Sequence, residues 1–222
     1  MIGNLFWREL ILSLIIFPSR TCEREEDVIT KPYIVAMTGA SGAVYGIRLL
    51  RFFEENKIPV EIVISDAAKI LMLEELGSAG EIAGGDCLRT HDFLDFTAPI
   101  ASGSYPTAGM VIIPCSMGTL GAVASGLSQN LIHRAADSTI KEGRKLVLVP
   151  RETPLSAIHL ENMLKLARLG VKIVPPMPAF YGQQKTVGDL VDFVVGKVLD
   201  QLEIPHMLYP RWVGSLQAPK PQ

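Results

Sequence analysis

From Pro32 onward the chain alternates short, almost uninterrupted apolar runs with longer stretches in which apolar residues recur every three or four positions. The runs are 33–37, 60–64, 110–113, 146–149 and 171–174, all rich in β-branched residues. A strand covered on both faces needs no polar alternation, so these runs predict the buried strands of a parallel sheet. The stretches 42–55, 66–76, 118–128, 130–142, 155–169 and 187–202 predict helices. Within 158–169, Ile158, Leu160, Met163, Leu164 and Ala167 recur at helical spacing, as do Leu190, Phe193, Val194, Lys197, Val198 and Leu202 in the last helix. Alternation of this kind predicts an α/β fold, a single doubly wound, Rossmann- or flavodoxin-like domain with a mainly parallel sheet and right-handed crossovers. Residues 77–107, rich in Gly, Ser, Thr and Pro, predict an irregular excursion within that domain. The domain is expected to span 32–212, between a loosely ordered extension (1–31) and a tail (213–222).

Composition narrows the classes. Of 222 residues 48% are hydrophobic and 20% charged, enough for a sizeable core and too apolar for general disorder. Asp plus Glu (23) nearly balance Lys plus Arg (21), which argues against a nucleic-acid partner held through many phosphates. Cys22, Cys87 and Cys115 form no CxxC pair, and the four histidines are scattered, none within four residues of another. A disulfide framework and a dedicated metal site are not expected, and the chain reads as cytoplasmic. The apolar run 10–17 is too short to span a bilayer, and no small-x-small cleavage site follows it.

In an open parallel sheet, ligands bind beyond the carboxyl ends of the strands. The first strand is followed by Thr38-Gly39-Ala40-Ser41-Gly42, two glycines and two hydroxyls leading into a helix. This turn fits phosphate binding by helix N–H groups, or an ordinary βα turn with Ser41 as cap. It is neither GxGxxG nor a Walker motif. Ser116-Met117-Gly118-Thr119 repeats the pattern after the third run, and Ser65 after the second reads alone as a cap. After the fourth, Arg151-Glu152 lies between Pro150 and Pro154, offering a phosphate fork beside a proton acceptor, or a capping salt bridge. Tyr181 and Lys185 match the YxxxK of short-chain dehydrogenases, but three prolines and Gly182 argue against the helix that motif requires.

Together these blocks, with Arg134-Ala135-Ala136-Asp137, His159-Leu160-Glu161-Asn162-Met163 and Asp189-Leu190-Val191-Asp192-Phe193, resemble the flavin prenyltransferase family (UbiX-like) from Tyr33 to Trp212. The resemblance implies transfer of a dimethylallyl group from dimethylallyl phosphate to N5 and C6 of reduced FMN, without a metal. The product serves a UbiD-type decarboxylase, often in ubiquinone synthesis. It also implies a homo-oligomer, commonly a dodecamer, with sites where subunits meet.

By position, the resemblance assigns FMN to Gly39, Ala40, Ser41, Ser65, Ser116, Met117, Gly118, Thr119 and Arg151. It assigns dimethylallyl phosphate to Tyr181 and Lys197, where Lys197 replaces an arginine common in relatives. Glu75, Lys141 and Glu152 correspond to charged residues around the prenyl phosphate, and Ser41 joins them among the catalytic candidates. Met117 and Trp212 are candidates for sheltering the allyl cation, with tail packing the alternative for Trp212. Two competing readings are an FMN-dependent decarboxylase, which needs a histidine over the flavin, and an FMN-binding or delivery protein without turnover.

Overall fold

The computed structural model of the chain describes residues 31–77, 87–181 and 184–214. The expected extension (1–31) therefore lies outside the described residues apart from Lys31, and so does the tail beyond Gly214.

Six strands form one sheet: β1 (Tyr33–Met37), β2 (Val60–Ile64), β3 (Leu88–His91), β4 (Gly109–Cys115), β5 (Lys145–Pro150) and β6 (Lys172–Ile173). The order is β3-β2-β1-β4-β5-β6 and every pairing is parallel. The helices are α1 (Ala43–Glu55), α2 (Asp66–Leu76), α3 (Met117–Ala124), α4 (Leu131–Lys141), α5 (Ala157–Arg168) and α6 (Val187–Leu202). Residues from α1, α2 and α6 share one buried cluster with Val35, Ile62, Val111 and Val147 of the sheet. Residues from α3, α4 and α5 share the other with Ile34, Val63, Ile112 and Leu148. Apolar strand residues thus alternate between two covered faces, which is why the runs carry almost no polar positions, Glu61 and Lys172 excepted.

Three expectations change. Residues 77–107 contain the edge strand β3, whose sequence Leu-Arg-Thr-His exposes Arg89 and Thr90 and so shows no apolar run. The helix expected over 118–128 ends at Ala124, because Gly126 adopts a left-handed backbone (φ 69) two residues later. The apolar positions of α5 do not turn inward as a set: only Leu166 of that helix is fully buried, while Ile158, Leu160 and Leu164 are exposed.

The excursion after β3 is tied to the sheet by a buried carboxylate. Glu61, on β2, accepts a hydrogen bond from the Tyr105 hydroxyl at 2.7 Å and pairs with His91 of β3. The bond to Glu61, with burial and the negative charge beside it, pushes the Tyr105 hydroxyl up to about 12. A buried carboxylate deprived of a partner costs about 1–3 kcal/mol or more. Tyr105→Phe should lower the unfolding free energy in urea by that amount; no measurable change would show that Glu61 does not need this partner.

Candidate functional site

The strand order reverses between β1 and β4, so their carboxyl ends flank the crevice where open α/β sheets take ligands. Thr38 joins the two ends. Its N–H and its hydroxyl both donate to the carbonyl of Pro114, at 3.1 and 3.0 Å, and its Oγ1 accepts the N–H of Ser116 at 2.7 Å. Thr38 is buried, so the β1 and β4 turns are held in one register.

Two helices begin beside this joint. Ser65 caps α2, accepting the N–H of Ala68, and Ser116 caps α3, accepting that of Thr119. Ser116 also donates to the Thr119 hydroxyl at 3.1 Å. A cavity of about 500 Å³ lies between them, lined by Thr38, Gly39, Ser65, Ser116, Gly118 and Thr119. That size suits a cofactor-sized molecule, for which sites of roughly 300–1,000 Å³ are usual. The start of α4 closes the cavity with Asn130 and His133. Asn130 caps α4 through the His133 N–H at 2.9 Å, and burial holds the His133 imidazole below its ordinary range. Sequence reasoning missed both residues; an Asn directly before the apolar run at 131–132 was the available signal.

The first glycine turn is closed from within. Gly42 is the N-cap of α1, with φ 108 and no side-chain cap, so Ser41 does not play that part. The carboxylate of Glu75, from the end of α2, accepts the N–H of Gly42 at 3.0 Å and of Ala43 at 2.9 Å. Arg151 Nε donates to the Ser41 carbonyl at 3.2 Å, drawing the β5 turn into the same clasp. Burial pushes the Glu75 carboxyl up, but hydrogen bonds from Ser41, Gly42 and Ala43, with Arg151 close by, hold it below its ordinary value.

Other assigned residues stand elsewhere. Tyr181 and Lys197 do not line the cavity. Tyr181 packs edge-on against Phe193 and Trp212, with ring centres 6.2 and 5.5 Å apart, and Lys197 Nζ lies 3.5 Å from Asp200 on α6. Helix α6 begins only at Val187, so Tyr181 and Lys185 share no helical face. Lys141 ends α4 just before β5, at the amino edge of the sheet and opposite the cavity. Glu152 is exposed, its carboxylate accepting the Thr153 N–H at 2.9 Å. Ala40 is buried beneath the first turn, and Met117 packs half-buried at the start of α3. Cys115 at the end of β4 is fully buried, which pushes its thiol up to about 12 and leaves it no role as a nucleophile. Among the described residues no group of His, Cys, Asp or Glu could hold a metal ion, and no helix is long and apolar enough to cross a membrane.

Hydroxyl-capped helix ends around a switch-point cavity define an α/β protein built to take a phosphorylated ligand. The Flavoprotein family model matches residues 21–199. The flavin prenyltransferase UbiX of Halalkalibacterium halodurans is 52% identical over 194 residues, covering 81% of this chain and 92% of that protein. A crystal structure of AnUbiX (PadA1) with FMN and dimethylallyl pyrophosphate matches with TM-score 0.78 and 41% identity, over 83% of this chain and 98% of that one. A dodecameric FMN-dependent UbiX-like decarboxylase from Escherichia coli O157:H7 matches with TM-score 0.77 and 48% identity, over 82% of this chain and all of that one. The chain belongs to the Flavoprotein family, among the UbiX-like flavin prenyltransferases.

The clasp gives a signed pH dependence. A carboxyl held below its ordinary 4.5 in the fold stabilises the fold above that value, and this is lost as pH falls through the folded value. Glu75→Gln should therefore lower the thermal midpoint at neutral pH, and the gap to the parent should close below about 4.5. A gap unchanged in acid would mean that the ionised clasp contributes nothing.

Proposed function

We propose that the protein transfers a dimethylallyl group from dimethylallyl phosphate to N5 and C6 of reduced FMN. The observation that carries this reading is the cavity at the β1/β4 switch point, rimmed by two hydroxyl-capped helix starts, in a chain of this family. Its donor set fits a flavin mononucleotide. Hydroxyls of Ser65, Ser116 and Thr119 and the N–H groups opening α2 and α3 suit a phosphate and polar ring edges, while Ala122 and Leu127 offer apolar wall to a planar ring. Gly39 and Gly118 let backbone come close, Ala40 and Met117 back the two turns, and Arg151 sets Ser41 from the β5 side. Bound reduced FMN supplies the carbon and nitrogen nucleophiles for prenylation.

The chain's own residues supply the rest. Tyr181 and Lys197 bind the donor's phosphate, the ammonium neutralising charge as the phosphate leaves. Glu152, which among the described residues bonds only within its own turn, takes up the proton released on ring closure. Glu75 holds Ser41 and the first turn. Lys141, at the opposite edge of its own sheet, acts in the site of a neighbouring copy. The exposed Ile158, Leu160 and Leu164 of α5 give copies an apolar surface through which to associate, and the E. coli relative is a dodecamer. The prenylated flavin passes to a UbiD-type decarboxylase, and the protein works in the cytoplasm.

The decarboxylase reading gains one feature, a histidine at the cavity, yet burial keeps His133 neutral and Asn130 restrains it. Purified protein incubated with reduced FMN and dimethylallyl phosphate should yield a flavin heavier by one five-carbon unit, by mass spectrometry of the extract. Glu152→Gln should retain FMN and form product at least about a hundredfold more slowly. Recovery of unmodified FMN alone from the parent protein would reject the transferase. Leu164→Glu should shift the assembly to smaller species in size-exclusion chromatography with light scattering; an unchanged mass would place the interface elsewhere.

A further inference from the structure

After α6 the chain folds back along it, and Asp200 is where it is fastened. The Asp200 carboxylate accepts the Tyr209 hydroxyl at 2.5 Å and Arg211 Nη1 at 2.7 Å. It also receives His206 Nε2 at 3.1 Å. The His206 Nδ1 accepts the N–H of Leu208 at 3.2 Å, and its Nε2 faces both Asp200 and Arg211 Nη2, each at 3.1 Å. Three residues of the returning segment thus converge on one carboxylate of the helix. Burial pushes Asp200 up, but the bonds from Tyr209, Arg211 and His206 outweigh it and bring it to about 2, so it stays ionised.

The segment lies unusually close to α6. A Cβ at Gly196 would come within 2.6 Å of both the His206 and Tyr209 rings. Glycine inside a helix is unfavourable, and here it clears the seat in which those rings rest. From that seat Tyr209 packs on Phe193 with centres 4.9 Å apart, and Phe193 in turn meets Tyr181. Trp212, one residue beyond Arg211, also meets Tyr181 edge-on. Lys197 is held 3.5 Å from the same Asp200. One carboxylate therefore sets both the aromatic wall around Tyr181 and the position of the Lys197 ammonium.

We infer that Asp200 is a positioning residue for the prenyl donor, fastening the segment 203–212 so that Tyr181, Trp212 and Lys197 present one fixed site. This rests on the assignment of Tyr181 and Lys197 to dimethylallyl phosphate. A bare carboxylate beside the site would repel the donor's phosphate, and that opposing effect has the reverse sign. The three donors from the segment, together with Lys197, already neutralise Asp200, so ordering outweighs repulsion.

The test compares the parent with Asp200→Asn and Gly196→Ala, which loosen the segment by removing charge in one case and by steric displacement in the other. Both should bind FMN within about twofold of the parent and keep kcat within about threefold. Both should raise KM for dimethylallyl phosphate roughly tenfold, the pattern of lost ground-state positioning. In a Trp7→Phe background, Trp212 emission should shift in both variants. Unchanged or lowered KM in both variants would overturn the inference. Should either variant fail to fold, Tyr209→Phe removes one hydroxyl alone, and an unaltered KM there overturns it equally. Failure of the parent to prenylate FMN would instead refute the donor assignment, and the inference with it, whatever the fluorescence shows.

Discussion

A single buried hydroxyl fixes the geometry of the switch point. Thr38 donates to the end of β4 and accepts from the first residue beyond it, so the turns after β1 and β4 cannot move independently. The starts of α1 and α3 are set by those turns, and the cavity between α2 and α3 inherits its shape from the same joint. A parallel sheet buried on both faces supplies rigid strands, but strands alone leave their terminal loops free. The side chain of Thr38 turns two loops into one framework, where helix N–H groups and hydroxyls face a common space.

Around that framework the ionisable groups fall into separate stations. Glu75 and Arg151 act on the first turn, Lys197 and Asp200 lie along α6, and Lys141 sits at the far edge of the sheet. Within one copy they stay apart. Under the proposed assignment, this dispersal and the exposed apolar positions of α5 would give association a chemical purpose as well as a hydrophobic one.

Much of this was legible from sequence because the strands carry a strong signal: five apolar runs broken only by Glu61 and Lys172, with hydroxyls or glycine in the loops that follow. The strand Leu88–His91 was not legible, because an edge strand has one free side and Arg89 and Thr90 face solvent. The stripe on α5 misled for a related reason: periodicity shows that a helix has an apolar face, not that its own domain covers it. The capping of α1 by Glu75, thirty-three positions along the chain, has no local signature at all. His133 escaped notice because a lone histidine near a helix start is ordinarily a packing residue, and only the fold brings it to the cavity wall. The Asp200 fastening was similarly invisible, since Lys197, Asp200 and Arg211 read as unrelated surface charges until the chain is seen to double back.

The carboxylate at the head of α1 has a further consequence. A helix end that already carries its own counter-charge offers no vacant berth to sulfate, chloride or inorganic phosphate from the medium. The first glycine turn is thus shielded from casual anions, while α2 and α3, capped by neutral hydroxyls, keep their positive ends facing the cavity. Where an anion can settle is written into which helix is neutralised by charge and which by an alcohol.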